Sequence, residues 1–183
     1  YENGSVVDTY GGGICQVSTT LYNAVIRSEL KVLKRSAHSM MVHYVQPSQD
    51  AAIAGTYKDF QFENNTKYPV YIEGAASGGI ITFTVYGKET RDPSRTVDFE
   101  SETTDTIKAE TKIVADSTLP VGTVTQTSSA KDGLKARLWK IVKVNGKEQS
   151  RTVFNNSVYN PTNAVYSVGT KSDSSEATAA MQA

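Results

Sequence analysis

Apolar residues early in the chain recur at helical spacing: Ile14, Val17, Leu21, Ala24, Val25 and Leu30 lay one apolar stripe along a helix over residues 14–30. No later segment keeps that period, so a single main helix is expected. Strand signals follow it. Val32-Leu33 is a short apolar run, and over residues 40–46 Met40, Val42 and Tyr44 alternate with Met41, His43 and Val45 until Pro47 ends the pattern. Asp59-Phe60-Gln61-Phe62, a turn at Asn64-Asn65, residues 69–73, and a Ser77-Gly78-Gly79 turn into residues 80–86 complete a first module that closes at Gly87.

Residues 88–102 become polar and charged around Arg91-Asp92-Pro93-Ser94-Arg95, the composition of an inter-domain linker or of a long edge strand. Beyond them the period is two: residues 107–114, 121–126, 135–144 with an Asn145-Gly146 hairpin turn, and 149–158. These patterns predict an α+β chain. Residues 1–98, linker included, form a small mixed domain with one main helix packed on a β-sheet, and residues 99–171 form an elongated all-β module. The tail at 172–183 is small, polar and free of aromatic residues, which predicts disorder.

Composition narrows the function classes. A chain of 183 residues with 38% hydrophobic content can bury one good core or two small ones. Its 19 basic and 19 acidic residues cancel, so the charge excess that nucleic acids or anionic bilayers select is missing, and nucleic acid is not an expected partner. No apolar run approaches the roughly 18 residues of a transmembrane helix. The opening Tyr1-Glu2-Asn3-Gly4, without an initiator Met or a signal peptide, reads as the interior of a longer protein. A single cysteine excludes an internal disulfide, and Cys15, His38 and His43 without a spaced cluster are too few for a metal centre; neither metal nor cofactor is expected. Stretches such as Thr125-Gln126-Thr127-Ser128-Ser129 fit an extracytoplasmic protein, and fit a β-rich surface equally well.

The one cysteine carries the candidate chemistry. Cys15 stands at the helix start behind Gly11-Gly12-Gly13, where unpaired N–H groups and the positive end of the helix dipole favour negative charge on a nucleophile. Three glycines let backbone approach a bound carbonyl and aim N–H groups at a developing oxyanion, with Gln16 as a further amide donor. Two other uses compete: a phosphate-cradling loop, although no Lys-Ser/Thr follows, and a small buried cysteine that merely fills the helix entry. His38, in Arg35-Ser36-Ala37-His38-Ser39, is the expected base, whereas His43 beside Tyr44 reads as a packed or surface histidine. Asp50 is the carboxylate nearest in sequence that could orient His38, or else a turn former after Pro47.

In G-G-G-I-C-Q-V-S-T-T-L-Y-N-A at residues 11–24, R-x-x-H-S at 35–39, D-A-A-I at 50–53, D-F-Q-F-E-N-N-T at 59–66 and Y-P-V-Y-I at 68–72, the chain resembles the VanW-like family. The likeness spans residues 1–88 and covers the carboxyl-terminal two-thirds of that domain. It implies a secreted or membrane-anchored bacterial envelope or cell-wall protein, of a family first met in vancomycin-resistance clusters. Because some members are L,D-transpeptidases, it also implies a reaction. Cys15 attacks the carbonyl between the third and fourth residues of a peptidoglycan stem tetrapeptide, D-alanine leaves, and an amine on a neighbouring stem resolves the acyl-enzyme. The resemblance makes His38 the general base or imidazolium partner, puts Asp50 and Ser39 on family positions, and leaves Gly11, Gly12, Gly13, Gln16 and Ser39 for substrate binding. Ser48 stands where members often have glycine.

Residues 105–171 resemble the five-glycine domain through Asp116-Ser117-Thr118-Leu119-Pro120-Val121-Gly122, Asp132-Gly133, Asn145-Gly146-Lys147 and Val168-Gly169-Thr170-Lys171, although no glycine falls near Ser128 to Ala130. That module implies peptidoglycan or N-acetylglucosamine binding, or a mechanical stalk. The expected partners are therefore stem peptides and glycan. The alternative function is a non-catalytic peptidoglycan-binding or structural envelope protein.

Overall fold

The computed structural model describes residues 12–172, so all of the tail expected to be disordered except Ser172, and Gly11 at the other end, lie outside the described residues. One helix, α1 (Ile14–Arg27), is followed by ten strands: β1 (Lys31–Lys34), β2 (Gln61–Glu63), β3 (Tyr71–Ser77), β4 (Ile80–Tyr86), β5 (Arg95–Ile107), β6 (Thr111–Pro120), β7 (Val124–Ser128), β8 (Gly133–Val144), β9 (Lys147–Tyr159) and β10 (Ala164–Lys171). Among the described residues the fold is thus mainly β with a single helix, the one that the periodicity predicts. Among the described residues no helix is long and apolar enough to cross a membrane.

Two compact units form. One joins Tyr1–Asp105 with Lys135–Tyr159; the other joins Thr106–Leu134 with the chain from Asn160 onward. The first unit holds antiparallel pairs β1-β2 and β3-β4 and nearly all of the three-stranded sheet β5-β8-β9. Its core is Tyr22, Ile26, Ala51 and Leu138, with Val32, Phe60, Phe99 and Phe154 packed against them. Three of these apolar residues, Phe99, Leu138 and Phe154, come from β5, β8 and β9. Helix α1 therefore finds half of its hydrophobic partners far along the chain. The hairpins behave as their turns dictate: Gly78 and Gly79 at φ 58° and 78°, and Asn145 and Gly146 at φ 50° and 76°, supply the left-handed pairs that tight two-residue turns require.

The buried face of α1 differs from the expected stripe. Ile14 and Val17 are 54% and 40% exposed, while Ser18, Thr19, Tyr22, Val25 and Ile26 turn inward. Two hydroxyls can be buried because the backbone of Ala51 answers them. Ser18 Oγ donates to Ala51 O, and the Ala51 N–H donates to Thr19 Oγ1 at 3.0 Å. The helix ends in a Schellman pattern, with Glu29 N–H donating to Ile26 O and Leu30 N–H to Val25 O. Glycine would usually occupy the left-handed position of Glu29 (φ 59°), but here three cations, Arg91, Arg95 and Lys140, hold its carboxylate.

Residues 40–46 form bends, not the expected strand. The donors that bracket this segment are claimed by side chains instead of a ladder: His38 N–H by the Asp50 carboxylate and Ser48 N–H by Tyr159. Of the linker region, everything from Arg95 onward is strand β5, at the edge of its sheet.

The second unit is a sheet in the order β6-β10-β7, with β10 parallel to β6 and antiparallel to β7. Gly169 lies where β10 crosses the end of β6. A Cβ there would stand 2.8 Å from Leu119 O and closer still to Pro120 O, both backbone atoms that cannot swing aside. Gly169→Ala is therefore expected to destabilise this sheet by about 3 kcal/mol or more. Amide exchange of β6, β7 and β10 would check it, since unaltered protection in the variant contradicts the close approach.

Candidate active site

The sequence from Arg35 to Asp50 folds back so that the carboxylate of Asp50 meets the histidine twelve residues earlier. Asp50 Oδ2 accepts from the backbone N–H of His38 at 2.7 Å and lies 2.7 Å from its ring Nδ1. Asp50 Oδ1 accepts from Arg35 Nη2 at 2.6 Å and from the Tyr159 hydroxyl at 2.5 Å. Both Asp50 and His38 are buried. Burial alone would push the Asp50 carboxyl upward, but the hydrogen bond from His38, the charge of Arg35 and the Tyr159 hydroxyl outweigh it and hold the group at about 2. Asp50 is thus an acceptor only, which assigns the proton of that contact to Nδ1 and leaves Nε2 as the ring nitrogen facing away from the carboxylate. The neighbour of Nε2 is the Tyr44 hydroxyl at 3.4 Å, a weak contact.

Cys15 occupies the first turn of α1, one residue inside Ile14, with Gly13 as N-cap. The first helical bond runs from Val17 N–H to Gly13 O, so the N–H groups of Ile14, Cys15 and Gln16 are not used within the helix. Cys15 is half-buried, and its Sγ donates to Ile53 O at 3.4 Å. His38 and Cys15 therefore border one segment, Asp50 to Ile53, with no hydrogen bond between them. Gly12 and Gly13 form an exposed turn, Gln16 is exposed, and Ser39 is exposed with its Oγ accepting from Lys58 Nζ at 2.9 Å. His43 is exposed in the bend and takes no part.

Several residues that sequence reasoning passed over complete the arrangement. Lys58 Nζ also donates to Ala37 O at 2.8 Å, so its ammonium grips the backbone on one side of His38 and the Ser39 side chain on the other. Burial pulls the Lys58 ammonium down, while the charge of Asp50 opposes that shift. Arg35 lies over the Tyr22 ring and reaches three oxygens, on the Asp50 backbone, the Asp50 carboxylate and Ser157. Lys58 sits at the base of a tight Ala54–Lys58 loop, a spacing with no recognisable motif; Ser157 and Tyr159 lie more than a hundred residues beyond Asp50, and local patterns carry no sign of them. A cavity of about 580 Å³ lies at the other end of α1, but three of its five cations, Arg91, Arg95 and Lys140, are committed to Glu29.

Comparison with known proteins matches residues 1–86 to the family described as VanW like protein and residues 99–171 to the G5 domain. The uncharacterized protein YoaR of Bacillus subtilis (strain 168) is 40% identical over 86 residues, which are 47% of this chain and 28% of that protein. The chain thus spans under a third of that relative's length. Among solved structures, an IgA1 protease G5 domain aligns at 28% identity over 43% of this chain and 94% of its own, with a TM-score of 0.32. HP0197-G5 aligns at 21% identity over 41% of this chain and 97% of its own, with a TM-score of 0.25.

Proposed function

Starting from a chain that is a VanW-like domain followed by a G5 domain, we propose that this protein remodels the bacterial cell wall by cysteine acyl transfer, as an L,D-transpeptidase acting on peptidoglycan stem peptides. The two domains point to a cell-wall-associated, peptidoglycan-related role, and both are typical of extracellular or cell-wall proteins. The reaction is the finer reading. The observation that carries it is the buried His38–Asp50 pair beside the segment that Cys15 touches: an ionised carboxylate that fixes one ring nitrogen leaves the other to take a proton.

In the reaction, Cys15 Sγ attacks the carbonyl carbon between the third and fourth residues of a stem tetrapeptide. Its proton passes to His38 Nε2, and the carbonyl oxygen gains the negative charge. The spare N–H groups of the first turn of α1 stabilise that oxyanion. Collapse breaks the peptide bond, the leaving D-alanine amine takes the proton from His38, and a thioester remains on Cys15. An amine of a neighbouring stem then attacks the thioester, giving the cross-link and the free thiol. Lys58 offers a positive charge to the substrate's terminal carboxylate. Both resting contacts, Sγ to Ile53 O and Nε2 to Tyr44, are long at 3.4 Å and cheap to break as substrate enters. The G5 domain supplies wall affinity and raises the local concentration of substrate.

Intact mass after incubation with stem tetrapeptide or a carbapenem tests this reading. An adduct confined to Cys15, lost in Cys15→Ser with the thermal melt unchanged, is the expected result; cross-linking that persists in Cys15→Ser would sink it. A second reading, a non-catalytic wall-binding protein, is favoured by one observation: the thiol points at a carbonyl and not at His38. A Cys15 that alkylates no faster than free cysteine at neutral pH supports it.

A further inference from the structure

The strand that completes the pair belongs to the G5 sequence. Along β9, Asn155, Ser157 and Tyr159 fall on alternate positions and hence on one face, and each reaches the loop that carries Asp50. Asn155 Nδ2 donates to Tyr22 OH at 2.7 Å and to Ser48 O at 3.1 Å. Ser157 Oγ accepts from Ser48 Oγ at 2.9 Å and from Arg35 Nη1 at 2.8 Å. The Tyr159 hydroxyl accepts from Ser48 N–H at 2.8 Å and donates to Asp50 Oδ1. Tyr159, Ser157, Ser48 and Asp50 are all buried. Ser48 is held at φ 66°, a conformation that is costly for a serine, and the β9 contacts at its N–H, its hydroxyl and its carbonyl offset that cost.

We propose that Tyr159 is a positioning residue of the acyl-transfer site: strand β9, which lies within the G5-matched sequence, holds the Asp50 carboxylate aimed at His38 through the Tyr159 hydroxyl, so that this strand is part of the active site. The inference rests on the reading of Cys15, His38 and Asp50 as the acyl-transfer machinery. Its physical basis is that a buried carboxylate is oriented, and its charge offset, by the donors that reach it. Of the side-chain donors to Asp50 Oδ1, Arg35 is shared with Ser157 and the Asp50 backbone, while the Tyr159 hydroxyl donates its one proton to Asp50. Burial, then the Asp50 charge, pushes Tyr159 up to about 12, so its proton stays on the hydroxyl throughout the working pH range.

The test is Tyr159→Phe in the full chain, which keeps the ring and deletes the donor. The carbon NMR titration of the Asp50 carboxyl should move upward from about 2 by about one pH unit. Acylation of Cys15 by a carbapenem should slow about tenfold at unchanged reagent affinity. In an Asp50→Asn background the same substitution should slow acylation no further, because its effect passes through the carboxylate. A wild type that is acylated, with neither midpoint nor rate changed in folded Tyr159→Phe, overturns the role of Tyr159 and leaves the proposed reaction standing. A wild type that forms no adduct overturns the reaction itself and the positioning role with it. Should Tyr159→Phe fail to fold, Ser157→Ala, which releases Arg35 and Ser48 from the same strand, is read by the same titration and rate, and no change in either overturns the proposal.

Discussion

A chain ended at residue 98 is expected to show no cooperative unfolding transition, although it contains the whole segment matched to the VanW-like family. Such a fragment keeps Tyr22, Ile26 and Ala51 but loses Leu138, Phe99 and Phe154, which cover them. Exposing that much apolar surface costs on the order of 6 kcal/mol, at about 2 kcal/mol per large side chain. That is comparable to the whole stability of a small domain. The fragment also leaves Arg35, Ser48 and Asp50 without the partners on β9. Far-UV circular dichroism and a proton–nitrogen correlation spectrum of the fragment decide the matter. A dispersed spectrum with a sharp melt would mean that the first domain closes its core unaided.

Acid should weaken the first unit over a defined window. Asp50 is held at about 2 against an ordinary 3.8, with burial opposing and the hydrogen bond from His38 and the charge of Arg35 prevailing. Glu29 is held at about 2 against 4.5, led by the hydrogen bond from Arg95 and assisted by Lys140 and Arg91. Both folded values lie below the unfolded ones, so the folded state binds these protons more weakly. The contribution is complete above about pH 5 and is lost as the pH falls through about 2. Together the two groups account for something on the order of 5 kcal/mol. Urea midpoints should therefore fall steeply between pH 5 and 2, and Glu29→Gln and Asp50→Asn should each flatten the slope. A flat profile in the wild type would contradict the burial and pairing of both carboxylates.

Much of the architecture was legible from local pattern. The single helix, the strand at 80–86 and both glycine turns follow from period and turn chemistry, which act over a few residues and need no tertiary context. Elsewhere local pattern misled. Ile14 and Val17 fit the apolar stripe yet lie exposed, because the inward positions went to hydroxyls whose partner, the Ala51 backbone, arrives from a distant loop. Residues 40–46 alternate like a strand yet bend, since the donors around them are satisfied by Asp50 and Tyr159.

The candidate site divides along the same line. By itself the sequence singled out Cys15 at a glycine-preceded helix start, and named His38 and Asp50 from residue type, proximity and family likeness. Only the tertiary structure decided that Asp50 takes four donors, that Lys58 grips both sides of His38, and that Arg35 and Tyr159 share the carboxylate. Helix starts and turns are written in neighbouring residues. A buried charge is stabilised by whatever the fold brings to it, and here the Tyr159 hydroxyl arrives from β9, more than a hundred residues along the chain, to join Arg35 and His38.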